Sequence, residues 1–470
     1  MKLTSLLERA RRPLLALLGV VTLAASMDAS AIPVFARQTG FKCVACHVGG
    51  EYPQLTSLGR MFKLTGYTLG NANDIFNLTT NIDRPPVAVM VQAARQYYTN
   101  TTPAAGNGTA PSSSFDVQVV SLFTGGHITD NLGAFVQWTW NKYDGNITSG
   151  SQYTQSSGID NTEFRWADRI VGKDSDLIYG FYANNRSTMS DVWNSTENWT
   201  SDWIGYFNGG GAQAPGTFLM GAAAQHGEVG AGAYVFKDKT WYGELGVYKS
   251  ITHGPMSFMT GGANGAAGVP ELDPSPYYRF AYNKEWGPHS FQAGIHGMTS
   301  YVHNNDGIAG YSDWSGSVST YRDFGIDAQY QYVLDPHYFS AHFRVTHEDM
   351  NNVLGVPNSS GLVPTNPTDT LNETWADVTY IYKAKYGAML FYHGATGSND
   401  TGLYAFTPNG SPNWQSWMPS VFWAPAQNIR IGYMYTFYTQ MGGTSGQMAG
   451  ANNLSAHDFN TSMLYASIIY

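Results

Sequence analysis

From Val87 to its end the chain alternates apolar and polar residues, and its connections alternate short and long. In 337–347, Phe339, Ala341, Phe343 and Val345 are apolar, while Ser340, His342, Arg344 and Thr346 between them are polar. The same period of two runs through 132–143, 289–301 and 428–439, which predicts strands with one apolar and one polar face. Sixteen such stretches follow one another, among them 160–171, 374–384 and a last one at 457–470. Seven short turns, such as Gly172–Ser175 and Leu334–Pro336, interleave with eight long loops, such as 99–114 and 185–228. An even strand number, short turns at one end and long loops at the other predict an all-β fold: a 16-stranded antiparallel outer-membrane β-barrel over 87–470. A soluble sandwich or propeller also has short strands and Gly-rich turns, but does not require so many aromatics on the apolar faces.

The rest of the composition agrees with export to a membrane. Charged residues are 13% of the 470-residue chain, against about 25% in typical soluble domains. Lys2, Arg9, Arg11 and Arg12 precede an apolar run over Leu14–Ala25, and Ala29-Ser30-Ala31 then gives a small-x-small site. Residues 1–31 therefore read as a cleavable signal peptide whose apolar part is too short to span a bilayer as a helix. Without them the chain keeps 21 Lys and Arg against 32 Asp and Glu, a net charge of −11 that argues against nucleic acid as a partner. Outer-membrane lipid is the expected surround. The long loops carry fourteen acidic residues, Asp191, Glu197, Glu348 and Asp369 among them, and one basic residue, Arg186. Lysines gather beside the short turns. That segregation suits a cation-attracting outer mouth, and equally an ordinary solvated porin surface.

Residues 32–86 form a different unit that ends at Arg84-Pro85-Pro86. It contains Cys43-Val44-Ala45-Cys46-His47, a C-x-x-C-H run that matches haem c attachment, and both cysteines of the chain. Cys43 and Cys46 would form the two thioethers, and His47 the proximal axial ligand to iron. A thioredoxin-like site needs a βαβ setting that is absent, a structural zinc site needs further ligands, and a plain disulfide leaves His47 unexplained. Leu55, Leu58, Met61 and Phe62 follow Pro53 at the spacing of a short amphipathic helix with Pro in its first turn.

Met61 is the expected distal ligand, with Met90, His296, Met298, His342 and Met434 as other candidates. His/Met ligation would give a higher potential than bis-His. Fifty-odd residues are marginal as a free domain, and a sixteen-stranded barrel encloses an aqueous channel unless filled. The helical haem c segment is therefore expected inside the lumen, well up the barrel. Alternation turns Glu163, Arg165, Arg169, Arg279, Asp323, Asp327, Arg344, Asp377 and Arg430 inward, where the arginines could meet haem propionates or the plug, or form the charged ladder of any porin.

The run Ile32-Pro33-Val34-Phe35-Ala36-Arg37-Gln38-Thr39-Gly40, then Cys43–His47, then Leu55-Thr56-Ser57-Leu58-Gly59-Arg60-Met61-Phe62-Lys63-Leu64-Thr65-Gly66-Tyr67 resembles the start of the fused monohaem cytochrome–porins. That family includes outer-membrane iron oxidases of neutrophilic and acidophilic iron-oxidising bacteria. The resemblance covers the N-terminal unit in motif and the barrel in length and plan only. It implies an iron(II):cytochrome c-type oxidoreductase with one covalently bound haem c. Extracellular Fe(II) would give single electrons to the haem, and a periplasmic cytochrome would collect them. A conduit for another extracellular donor, or a porin with a haem-bearing plug, fits the same residues.

Overall fold

The computed structural model describes residues 33–50, 52–69, 86–99 and 115–470, apart from 142–146, 149–151, 154–155, 198–227, 252–255, 260–270, 305–315, 359–360, 406 and 446–454. The expected signal peptide and Arg84-Pro85 lie outside the described residues. Sixteen long strands run in order: β1 Val87–Tyr98, β2 Asp116–His127, β3 Leu132–Asn141, β4 Ser156–Val171, β5 Asp176–Asn184, β6 Glu228–Lys237, β7 Trp241–Ser250, β8 Ser275–Trp286, β9 His289–His303, β10 Val318–Leu334, β11 His337–Asn351, β12 Thr368–Tyr382, β13 Tyr386–Gly397, β14 Trp414–Ala426, β15 Ile429–Met441 and β16 Thr461–Ile469. Each pairs antiparallel with its sequence neighbours. β16 pairs with β1, from Met90 opposite Ile469 to Tyr98 opposite Thr461, and the barrel closes. Tyr470 completes the seam, exchanging hydrogen bonds with Val89 at 2.7 and 2.8 Å. A two-residue strand, Glu271–Leu272, adds to the end of β9.

The expected class therefore holds, with corrected boundaries. β4 starts at Ser156 rather than 160, and β12 at Thr368 rather than 374. The final strand starts at Thr461, because Ala456–Phe459 is a 3-10 turn whose capping box joins Ser455 and Asp458. Strands of 15–17 residues, as in β9 to β12, are longer than the 9–11 residues a tilted strand needs to cross a bilayer. They run on past the membrane, where both faces meet polar surroundings and the alternation that marks a strand fades.

The wall is polar inside and apolar outside. Leu245 is 70% exposed and Phe181 58%, and Val378, Leu390, Val421 and Leu464 face outward with them. Glu163, Arg165, Arg279, Asp323, Asp327, Arg344, Asp377 and Arg430 are buried, as alternation predicts for the lumen. At about 25 cal/mol per Å² such an outer belt is unfavourable in water, so lipid is the solvent this surface fits. Among the described residues no helix is long and apolar enough to cross a membrane; the strands do so. Arg169 departs from the expected set. It is exposed at the short-turn end, where it pairs with Asp176 at 2.7 Å, because β4 there has run past the lumen.

Two segments pack against the inner side of the wall. The first is the N-terminal unit, with helices α1 Pro33–Thr39, α2 Cys43–Cys46 and α3 Ser57–Leu64. It lies across the short-turn end. Arg37 donates to Val87 O at 2.5 Å at the start of β1. Ser57 and Arg60 bind Glu285, beside the β8–β9 turn, at 2.6 and 2.8 Å. At the far end of α3, Gly66 packs on backbone of Asn131 and Arg165, beside the β2–β3 turn.

The second segment is residues 185–197, the start of the long loop after β5, which fold inward and are buried throughout. Asp191 caps its own turn, accepting from the backbone N–H of Trp193, Ser195 and Thr196 at 2.9–3.1 Å. Arg279 bridges Asp191 at 3.3 Å and Asp327 at 2.9 Å, and Glu197 meets His296 at 2.8 Å and Arg344 at 3.5 Å. Lys63 of α3 donates to the carbonyls of Met189 and Asp191 at 2.5 and 2.9 Å, so the two fillings touch.

Arg279→Ala would remove the cation shared by two buried carboxylates, a loss of about 3–5 kcal/mol. Arg169→Ala removes an exposed pair worth about 0–1 kcal/mol. Urea unfolding in detergent should separate the two variants clearly, and equal midpoints would contradict the assignment of Arg279 as the lumen's structural cation.

Candidate functional site

Cys43 to His47 make one helical turn and its exit. Lys42 enters in an extended conformation at φ −75°, ψ 156°. The backbone N–H of His47 donates to Cys43 O at 2.8 Å, and His47 leaves extended at φ −120°, ψ 137°. Three residues apart on a helix, the two thiols project from one face. Thr56 ties this turn to the next helix. Its backbone N–H donates to Cys46 O at 2.9 Å, its hydroxyl donates to Ala45 O at 2.6 Å, and the same hydroxyl accepts from Gly59 N–H as the N-cap of α3. Pro53 therefore precedes the helix rather than sitting in its first turn, since the capping residue comes three positions later.

Two glycines allow the close packing. A Cβ on Gly59 would stand 2.2 Å from Cys46 O. Gly49 has φ +57°, and a Cβ there would meet Ile381 of β12 at 2.9 Å. On the barrel side, Cys43 N–H donates to Gln427 Oε1 at 3.1 Å, in the turn between β14 and β15. The motif is thus level with the short turns. It sits in the mouth of the barrel, not well up the lumen as the sequence led us to expect.

The donor set fits haem c. Both cysteines are free thiols, and Cys43 is fully buried. Burial, then the neighbouring Cys43 thiolate, pushes the Cys46 thiol up to about 11. Burial also raises Cys43, against the hydrogen bond from the Tyr52 hydroxyl at 3.5 Å. Protonated thiols on a short helix outside any βαβ unit do not suit disulfide exchange, which needs a thiolate. Among the described residues no group of three His, Cys, Asp or Glu side chains could hold a metal ion. Two thiols and an imidazole within five residues remain, held in register by Thr56 and Gln427. His47 lies against Tyr52, ring centroids 4.5 Å apart.

The other expected residues separate. Met61 packs against the cluster of Leu64, Trp193, Phe236 and Tyr242. It stands two residues from Gly59, about 200° around the helix from the face that meets Cys46. Met298 belongs to that same cluster. His296 is committed to Glu197 and Asp327, and His342 lies 3.1 Å from Asp377. Met434 shares a cluster with Val48, next to His47, and Met90 packs into the cluster that includes Tyr52. Of the lumen arginines, Arg430 stacks on the Val48 cluster, its guanidinium 4.1 Å from the ring centroid of Phe422.

The inward loop escaped sequence reading. Asp191 and Glu197 were expected among the acids of an open outer mouth, yet both are buried in ion pairs. Glu348, Asp349, Asp369 and Glu373 lie on β11 and β12 rather than in loops. The available signal was Met189, Val192 and Trp193, three large apolar residues close together in a nominal loop and all buried.

No family model matches the sequence, and neither does any curated protein. Solved structures with a similar fold include OmpF of Salmonella typhi in complex with daunomycin, at 13% identity and TM-score 0.44, over 82% of this chain and 97% of that one. The outer membrane channel DcaP of Acinetobacter baumannii matches at 10% identity and TM-score 0.44, over 82% and 96%. The trimer form of OmpT of Vibrio cholerae matches at 10% identity and TM-score 0.41, over 82% and 98%.

Proposed function

We propose that this chain is a porin-like outer-membrane barrel whose N-terminal segment carries one covalent haem c and exchanges single electrons between the two sides of the membrane. The observation that carries the reading is the seat of Cys43, Cys46 and His47 in the mouth of a transmembrane barrel, rather than in a separate soluble domain. When bound, haem c supplies a one-electron centre. The chain's own residues do the rest. Cys43 and Cys46 anchor the group, and His47 offers an imidazole to its iron. Thr56 and Gln427 fix the turn, and Gly49 and Gly59 let it pack tightly. α3 and residues 185–197 displace water from the lumen. With short turns toward the periplasm and long loops outside, the motif lies on the periplasmic side.

Extracellular Fe(II) is the donor we assign, oxidised to Fe(III) with loss of one electron, and a ferric periplasmic cytochrome the acceptor. The N-terminal resemblance to the cytochrome–porins supports both. In liposomes with the long loops outward, Fe(II) added outside should reduce the haem, read from its absorbance. Haem that stays oxidised with Fe(II) but is reduced by dithionite would remove iron as the donor and leave a conduit for another one. A second reading is a porin with a redox-sensitive plug. It is favoured by the filling of the lumen at two levels that meet at Lys63. It requires conductance that changes with haem oxidation state.

A further inference from the structure

The short-turn rim is not evenly charged. On the side of β2 to β7, the exposed or half-exposed charges alternate in sign: Asp130, Asp168, Asp174, Asp176 and Asp238 against Arg169, Lys173, Lys237 and Lys239. The β8–β9 turn adds Lys284 beside Glu285. The side that holds the cysteines differs. Among the described residues, Lys42 is exposed one residue before Cys43, and Lys383 and Lys385 are exposed in the β12–β13 turn, against an exposed Asp335 in the β10–β11 turn. Phe41, beside Lys42, is 43% exposed.

These groups are neighbours through the backbone. Gly49 abuts Ile381, two residues before Lys383. Lys385 O accepts from Ala424 N–H at 2.7 Å, on the strand that leads into Gln427, which holds Cys43. Lys383 and Ala384 adopt φ +56° and +52°, the left-handed pair of a tight hairpin turn, as Asp238 and Lys239 do on the other side of the rim.

We infer that Phe41, Lys42, Lys383 and Lys385 form the docking surface for an acidic soluble redox protein, with Phe41 as its apolar centre. The inference rests on the proposed haem c attachment at Cys43 and Cys46, the first of which follows Lys42 directly. Positive charge around an exposed ring beside a redox site steers an acidic partner and raises its association rate. The docked partner's oxidised centre would take up one electron from that haem, with no bond made or broken.

The test uses the full chain in detergent, with a soluble c-type cytochrome of acidic surface as probe and one of basic surface as control. Binding is read first, by co-sedimentation, and the electron-transfer rate second. Lys42→Glu/Lys383→Glu/Lys385→Glu should weaken binding of the acidic probe on the order of tenfold at low salt. The difference should close at high salt, as screening requires. Lys173→Glu, on the opposite rim, should change little. The inference is overturned if the triple variant binds like the parent, if Lys173→Glu weakens binding equally, or if the basic probe binds better. A chain that lacks haem but binds the acidic probe in this salt-dependent way would sink the proposed function and leave the surface standing.

Discussion

Replacing Cys43 and Cys46 together by alanine is expected to abolish covalent haem completely, while the barrel still folds. After denaturing electrophoresis the parent should keep haem-linked peroxidase staining and the double variant none. Each single variant should retain one thioether at most, with a shifted α-band in the pyridine haemochrome spectrum. Folding should survive, because α2 is held from outside itself, by Thr56 on Ala45 O and Cys46 O and by Gln427 on the backbone of Cys43. Loss of the buried Cys43 side chain then costs on the order of 1 kcal/mol, small beside a sheet of sixteen paired long strands. Covalent haem in the double variant would refute haem attachment at this motif and the proposed function with it.

Removing residues 33–69 is expected to unblock the short-turn mouth and leave a channel constricted by residues 185–197. The segment covers the short-turn end from the start of β1 to the β8–β9 turn. It also braces residues 185–197 through Lys63. Those residues stay folded inward without it, since Arg279, His296 and Arg344 belong to the wall. A sixteen-stranded barrel of this kind encloses an aqueous channel. Single-channel conductance in planar bilayers should therefore rise on the order of tenfold when the segment is absent. A parent chain that already conducts like its truncated form would show that the segment does not seal the mouth.

Most of the wall was legible in the sequence, for a physical reason. Lipid on one face and a polar lumen on the other force a period of two, so Phe343 and Arg344, or Val378 and Asp377, declare their faces. Reading failed where that contrast ends. The outer parts of β4 and β12 stand beyond the bilayer, where the alternation fades and the sequence reads as loop. The C-x-x-C-H run is readable because its spacing is local. Its depth is not, because that depends on Gln427, 384 residues away from Cys43. The inward loop was hidden for the same reason. Asp191 and Glu197 are acids in a polar stretch until Arg279 and His296 come into place from distant strands. Thr56 was locally readable as a cap, but Pro53 drew the helix start forward.

The seam between β1 and β16 sets an order of events in the life of the chain. Every other pairing among the sixteen long strands joins strands adjacent in sequence, whereas this one waits for Thr461–Tyr470. Gln427 and the β14–β15 hairpin also arrive late, and they bury Cys43. A group bonded to Cys43 would have to be added while the chain is still open, on the periplasmic side and before insertion is complete. Under the proposed function, maturation and assembly would be sequential, and a molecule that closed without haem would have no route back to acquire it short of unfolding.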